Sequence, residues 1–347
     1  MPVLRLFNPE NDLALAAGSA CYTPPPAAAQ LREAGALLPM WLASDGDLLL
    51  APQELGQACA LMRERFGLHG NILTREKTGS VSGCSPWGWS AATRRTFLKA
   101  GIEDRALPDS MQIERLRSLS HRRTAARLLE KLGFANIPVE ARDRAAALAA
   151  IDSLGGEAYI KLPWSSSGRG VFAVSGMSRS RLVDYIDGFI RRQGSVMVEK
   201  AYRKRRDFAM LFYSRDGKVA FAGLSLFDTL PGGAYSSNIL LPQSEIEQIL
   251  GIDAAMLSLE VGKALGDIVA PVYTGPLGVD MLQTEDGAIV PGIEINLRYT
   301  MGFIALEVEK CLGRGVMTIA PGAAGEGGIN LSPVPGAAFS ITFRRGG

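Results

Sequence analysis

"GPLGVDMLQTEDGAIVPGIEINLRY", Gly275 to Tyr299, reads as two strands around a turn. Its Glu285-Asp286-Gly287 triplet suits a three-residue hairpin loop with Gly287 in the left-handed position. That register sets Thr284 opposite Ala288 and Asp280 opposite Gly292. Asp280 and Glu294 are then diagonal neighbours on one face, roughly 7 Å apart at Cβ. Asn296 and Arg298 continue along that face, because strand side chains alternate. Pro291 offers a bulge that shifts the pairing by one. Two carboxylates and an amide oxygen form the hard-oxygen set that Mg²⁺ takes together with nucleotide phosphates. Arg298 would add a fixed cation for developing negative charge. A solvated sheet face with Arg298 paired to Glu294 fits the same pattern, and the hairpin alone does not choose.

Upstream, "KLPWSSSGRG" (Lys161 to Gly170) places a lysine at the end of an apolar run, so its ammonium is expected to emerge at a strand end. The small residues that follow can turn several backbone N–H groups toward one anion. The lysine precedes the glycines and no helix pattern follows, so this is neither GxxxxGK[ST] nor GxGxxG. An ordinary polar hairpin is the plainer account. "SLSHRRTAARLLEKLG" is a periodic helix, with Ser118 or Ser120 as its expected cap. His121, Arg122 and Arg123 in its first turn oppose the helix dipole, which suggests either an awaited anion or a solvated basic face. In "VMVEKAYRKRRDF" a buried strand ends at Glu199-Lys200, a basic loop follows, and Asp207 opens the next strand. "GCSPWGWS" reads as a loop whose Trp87 and Trp89 clamp a ligand or, more plainly, fill an interface. In "LPGGAYSSN" (230 to 238), Tyr235, Ser236 and Asn238 suit either a specificity loop or a connector.

The 347 residues allow two or three domains with sizeable cores. With 47% hydrophobic and 21% charged residues and a net charge of +2, bulk charge suggests neither nucleic acid nor an anionic membrane as partner. Two histidines exclude a histidine-rich metal site, and four scattered cysteines without a CxxC pair read as free thiols in a reducing compartment. The start "MPVLRLFNPENDLALA" lacks the pattern of a signal peptide, and no apolar run reaches about 18 residues, so the cytoplasm is the expected location.

Strands alternate with helices through the first hundred residues, which predicts an α/β layer. Beyond about residue 115 the texture becomes short β-rich runs with intervening helices, and the tail ends in an expected edge strand, "AFSITF".

The order of these elements resembles the ATP-grasp superfamily: basic helix start, lysine with a Gly/Ser loop, "VEK", acid on the next strand, then "GVD…EIN.R". The best likeness is to its carboxylate–amine ligase type, similar to D-alanine–D-alanine ligase and biotin carboxylase. It covers about residues 115 to 305 and is most specific in "GPLGVDMLQ…IEINLRYTMG". The resemblance implies an α/β, pre-ATP-grasp-like N-terminal domain (1–115) followed by an α+β ATP-grasp fold with ATP held between two mixed or antiparallel sheets. Its small subdomain (116–200) would carry the phosphate loop and its C-terminal subdomain (201–347) the metal site.

By the same resemblance Asp280, Glu294 and Asn296 are metal ligands for Mg²⁺, with Mn²⁺ as an alternative, and Lys161 binds ATP phosphates. Ser165, Ser166, Ser167, Gly168, Arg169 and Gly170 form the phosphate loop, and Glu199 and Lys200 the adenine hinge. Asp207 stands where a Glu commonly binds ribose or a phosphate-bound lysine. Arg298, with Lys161, is the catalytic candidate, near an acyl phosphate or its carboxylate precursor. Where the family often has Asp-Lys this chain has His121-Arg122, so Arg122 would meet phosphate. In "FNPENDLAL", Asn8, Glu10, Asn11 and Asp12 are candidates to face substrate. The implied partners are small-molecule carboxylate and amine substrates and, as in many related enzymes, a second copy of the chain. The implied reaction is ATP-dependent amide formation. A nucleotide-binding protein without turnover and a phosphotransferase on the same scaffold are the alternatives.

Overall fold

Leu4 has no exposed surface and seeds the first sheet of the structure, a computed structural model that describes residues 2–165, 170–230, 233 and 235–346. The chain forms two compact units, one from residues up to 117 with 236–246 and 298 onward, the other from 118–235 and 247–297. In chain order, the stretch to 117 carries β1 (Val3–Leu6), α1 (Asn11–Ala17), α2 (Pro26–Ala34), β2 (Leu48–Leu49), α3 (Gly56–Phe66), β3 (Asn71–Ile72), β4 (Gly83–Pro86), α4 (Ala91–Lys99) and most of α5 (Ser110–Leu119). Then come α6 (Arg123–Lys131), β5 (Val139–Ala141), α7 (Arg144–Ser153), β6 (Ala158–Lys161), β7 (Val171–Ala173), α8 (Arg179–Gln193), β8 (Val196–Lys200), β9 (Lys204–Arg215) and β10 (Lys218–Thr229). They are followed by β11 (Tyr235–Leu240), α9 (Gln243–Leu250), α10 (Ala254–Ile268), β12 (Gly275–Thr284), β13 (Ile289–Asn296), α11 (Met301–Leu312), β14 (Gly315–Pro321), β15 (Ile329–Asn330) and β16 (Phe339–Arg345).

In the first unit β3-β2-β1-β4 form a parallel sheet. Leu4, Leu48, Leu73 and Phe97 meet in its core. Gly83–Pro86, expected within a loop, is a strand because it finds β1 as a parallel partner. Trp87 is buried edge-on against Phe7, ring centroids 4.8 Å apart, and Trp89 packs on Phe97. Both tryptophans therefore serve this unit's core. The terminal strand β16 is not an edge: it pairs with β14 on one side and β15 on the other. Tyr235, Ser236 and Asn238 lie on a strand, β11, whose register with β14 joins Asn238 to Met317.

The second unit has two antiparallel layers. One is β5-β8-β6-β7. Ala147 and Ile151 of α7 and Leu182, Ile186 and Phe189 of α8 cover it. The other layer runs β13-β12-β9-β10. Phe208 through Phe212 are all buried, so β9 has protein on both faces. Helix α6 lies on β13 and against α10. Its Leu128 and Leu129 are almost wholly buried, each contributing about 2 kcal/mol of apolar burial. They approach β13 at Gly292, where a Cβ would meet both leucines at 3.4 Å.

Helix α6 is not capped by Ser118 or Ser120. Ser118 belongs to α5 and Arg122 holds the cap position, while the His121 ring accepts the Arg123 N–H through Nδ1 at 3.0 Å. Among the described residues no helix is long and apolar enough to cross a membrane.

Candidate nucleotide and metal site

The β12–β13 hairpin turns at 285–287 as expected, with Gly287 at φ 88° and the Thr284 N–H bonded to Ala288 O at 2.9 Å. Its register then departs from expectation. Leu282 pairs with Val290, but Asp280 pairs with Glu294, so Pro291 to Ile293 face Met281 as a bulge. Asp280 and Glu294 are therefore directly opposite, not diagonal. Asn296, opposite Gly278, shares their face and donates Nδ2 to Asp280 Oδ2 at 3.0 Å. Among the described residues no group of three or more His, Cys, Asp or Glu side chains forms a metal site. Two carboxylates with one amide are a smaller set, suited to an ion that draws its other ligands from phosphate and water. The donor chemistry fits Mg²⁺. Like charges directly opposite on antiparallel strands are otherwise unfavourable.

Helix α6 brings Arg122 to this face. Its Nη2 donates to Glu294 Oε2 at 3.0 Å and to Ser165 Oγ at 2.9 Å. Its Nε donates to Leu162 O and its backbone N–H to Pro163 O, both at 3.1 Å. One buried guanidinium thus ties the start of α6, the beginning of the Gly/Ser loop and a carboxylate of β13 together. The loop is closed at its base by the Leu162 N–H to Gly170 O bond of 2.8 Å. Gly170 has φ +78°, and a Cβ there would lie 2.6 Å from Leu162, so both backbone and space require glycine. Ser166, Ser167, Gly168 and Arg169 lie outside the described residues.

Lys161 does not emerge into solvent. It is 5% exposed, and its Nζ donates to Glu199 Oε1 at 2.6 Å. Tyr159 pairs with Glu199 across β6 and β8, so Lys161, two residues on, shares that face. Two candidates that are distant in sequence thus form one buried ion pair. Lys200 is exposed over the Tyr202 ring at 5.6 Å. The expected basic loop at 203–206 is mostly strand, since β9 begins at Lys204. Asp207 is inside β9, accepting from Lys204 and, at 3.0 Å, from Thr229.

Arg298 belongs to the first unit and pairs there with Asp12. Asp12 Oδ2 accepts from its Nε at 2.9 Å and its Nη2 at 2.7 Å, and Tyr299 O accepts from Nη1 at 3.1 Å. Asp12 and Glu10 begin the helix after "FNP", and Asn8 bonds Gly88 O and Thr93 Oγ1 at 2.9 and 3.0 Å.

The arginines at the α6 start find their anions inside the protein. Glu140 lies 3.5 Å from both His121 and Arg123, and Ser195 is 3.5 Å from His121 Nε2. Sequence reading missed this cluster, whose only local sign is a glutamate on the short strand "VEA". Burial, then the neighbouring Arg123, pushes the His121 pKa down from 6.5 to about 4, while His121 together with Ser195 and Arg123 holds Glu140 below its usual range despite its burial. The unfolded chain therefore binds a proton on His121 below pH 6.5 that the fold refuses until about 4. Stability is expected to fall as pH drops through that interval, by on the order of 3 kcal/mol. Urea titrations between pH 7 and 4 measure the slope, which His121→Gln should flatten. An equal slope in the variant refutes the assignment.

No protein-family model and no curated protein matches the chain. Solved structures do. The N5-carboxyaminoimidazole ribonucleotide synthetase of Thermus thermophilus is 14% identical, with a TM-score of 0.54 over 99% of this chain and 94% of that one. The biotin carboxylase domain of 2-oxoglutarate carboxylase from Hydrogenobacter thermophilus, in complex with MgADP, ADP and bicarbonate, is 12% identical, with a TM-score of 0.55 over 98% and 85%. N5-carboxyaminoimidazole synthase from Aspergillus clavatus, in complex with ADP and 5-aminoimidazole ribonucleotide, is 15% identical, with a TM-score of 0.51 over 88% and 95%. At such identities the likeness speaks for architecture alone: this chain has the ATP-grasp fold, behind an N-terminal α/β part, that these proteins share.

Proposed function

We propose that this protein is an ATP- and Mg²⁺-dependent ligase that activates a carboxylate as an acyl phosphate and joins it to an amine, releasing ADP and phosphate. The observation that carries the reading is the Asp280–Glu294–Asn296 face tied through Arg122 to Ser165 at the start of the Gly/Ser loop. Nucleotide complexes of the similar structures support ATP as the phosphoryl donor.

In this reading a carboxylate oxygen attacks the γ-phosphorus and the bond to the β-phosphate oxygen breaks, leaving ADP. The amine nitrogen then attacks the acyl carbon, phosphate departs with the C–O electron pair, and the nitrogen loses a proton to water. Asp280, Glu294 and Asn296 would hold Mg²⁺, which neutralises phosphate charge when bound. Residues 165–170 cover the phosphates and exclude water from an easily hydrolysed acyl phosphate. Lys161 exchanges Glu199 for a phosphate oxygen, and Glu199 and Lys200 then face the adenine. Asp207 takes the ribose or a lysine, and Arg298, held by Asp12, steadies the charged intermediate. Residues 116–200 and 201–347 act as the two ATP-grasp subdomains. The cytoplasm, which supplies ATP and keeps the free thiols reduced, is the proposed setting.

Binding without turnover is favoured by one fact: Lys161 and Arg122 already have internal carboxylate partners. A screen of acid and amine pairs for ADP release with amide formation decides. Nucleotide binding without any ADP release over the panel sinks the ligase, and phosphate retained on the acceptor identifies a phosphotransferase. Lys161→Met, which keeps the apolar stem, should weaken ATP by roughly tenfold or more while leaving the acid's affinity near wild type. Equal ATP affinity would show that Lys161 serves only the buried pair.

A further inference from the structure

Strand β6 loses its ladder just where the Gly/Ser loop begins. Its last rung toward β7 is the Leu162 N–H to Gly170 O bond, and Pro163 has no N–H to offer another. Backbone groups beyond a ladder still need partners. Two residues remote in sequence supply them. Arg122 holds Leu162 O, Pro163 O and Ser165 Oγ. Gln193 holds the peptide groups of Trp164: its Oε1 accepts the Trp164 N–H at 2.9 Å and its Nε2 donates to Trp164 O at 3.0 Å.

The Gln193 amide acts here as a neighbouring strand would, accepting from and donating to one residue. Its position is built into the fold. Gln193 is the last residue of α8, whose Leu182, Ile186 and Phe189 are buried in the core of this layer. Gly194 ends the helix in the left-handed region at φ +84°, with its N–H on Ile190 O at 2.7 Å, so the end of α8 is fixed. The Trp164 ring packs edge-on against His121, ring centroids 4.7 Å apart. A trans peptide holds a C=O and the next N–H on opposite sides. With Trp164 O turned to Gln193, the Ser165 N–H is turned away from it, on the residue whose Oγ meets Arg122 beside Glu294.

We propose that Gln193 is a positioning residue for nucleotide binding: by fixing the peptide plane between Trp164 and Ser165, it presents the Ser165 N–H to a phosphate oxygen. Gln193 itself touches neither nucleotide nor metal in this reading; it acts through Trp164. The role rests on the proposed function, because the phosphate it serves is that of the bound nucleotide. The clip on the Trp164 peptide stands on its own two hydrogen bonds.

The test compares Gln193→Met, which keeps the length of the side chain without its amide, with Ile151→Val, a change in the buried core under α7 that leaves the loop untouched. Amide hydrogen exchange and calorimetric titration of MgATP are measured on the full chain. In Gln193→Met the Trp164 amide should exchange roughly tenfold faster or more, while the β6 amides keep their wild-type rates. MgATP affinity should fall roughly tenfold in Gln193→Met and stay at the wild-type value in Ile151→Val. A loss of affinity shared by both variants would trace to stability and overturn the positioning role. Unchanged exchange at Trp164 overturns it too, since the clip is then absent in solution. Faster exchange with wild-type MgATP affinity makes Gln193 a structural residue only and spares the ligase reading. A wild type that binds no MgATP fails the proposed function, and the positioning role with it. If Gln193→Met fails to fold, Gln193→Ser, which removes the reach of the amide and adds no apolar surface, carries the same measurements.

Discussion

Asp280→Asn combined with Glu294→Gln should reduce Mg²⁺-dependent nucleotide binding by about a hundredfold or more while the protein remains folded. The hairpin places the two carboxylates directly opposite each other, so amides preserve shape and one acceptor oxygen each while removing both charges. Without metal, opposed carboxylates repel, so Asp280→Asn alone should leave the Mg²⁺-free protein as stable as wild type or up to about 1 kcal/mol more stable. Glu294→Gln should cost some stability, because Arg122 loses an ionised partner. Opposite effects on stability and on binding separate a metal site from a structural ion cluster. Titration of ATP with and without Mg²⁺, together with urea denaturation of both single variants, reads both quantities. Full Mg²⁺-dependent binding in the double variant removes the metal assignment.

Arg122→Ala should destabilise the protein by about 3 kcal/mol and abolish measurable turnover. The guanidinium is 8% exposed and satisfies Leu162 O, Ser165 Oγ and Glu294 at once. Removing it leaves a carboxylate and two oxygens without their donor. Glu294 keeps a quarter of its side-chain surface, which places the cost at the lower end of that for a broken buried pair. Arg122→Lys restores charge but not the planar fork, and should recover stability only in part. The discriminating quantity is the split between effects. If Arg122→Lys regains stability but not nucleotide affinity, the fork serves the nucleotide as well as the fold. A melting profile for Arg122→Ala identical to wild type would falsify its bridging role.

Much of the architecture was legible because its signals are local. Helix α6 announces itself by period, the hairpin by Glu285-Asp286-Gly287, and the change of texture near residue 115 by the spacing of strands and helices. Gly83–Pro86 was hidden because a short strand made of Gly, Cys, Ser and Pro carries no alternation, and only its parallel partner β1 makes it one. The edge assignment of β16 failed similarly, since two residues of β15, remote from it in propensity, complete its pairing.

The residues of the candidate site were chosen from sequence as types: carboxylates and an amide in alternation, a lysine before small residues, arginines at a helix start. Their partners were not legible. The bulge at Pro291 to Ile293 moves Asp280 from Gly292 to Glu294, with Gly292 packed against Leu128 and Leu129 of α6. Arg122 finds Glu294 across 172 residues, and Arg298 finds Asp12 across 286. The sequence by itself determined which residues carry charge, which segments coil or extend, and where the turns fall, because those depend on neighbours within a few positions. Only the tertiary structure decided which charge neutralises which, because a buried ion pair depends on how helices and strands pack, and packing is a property of the whole fold.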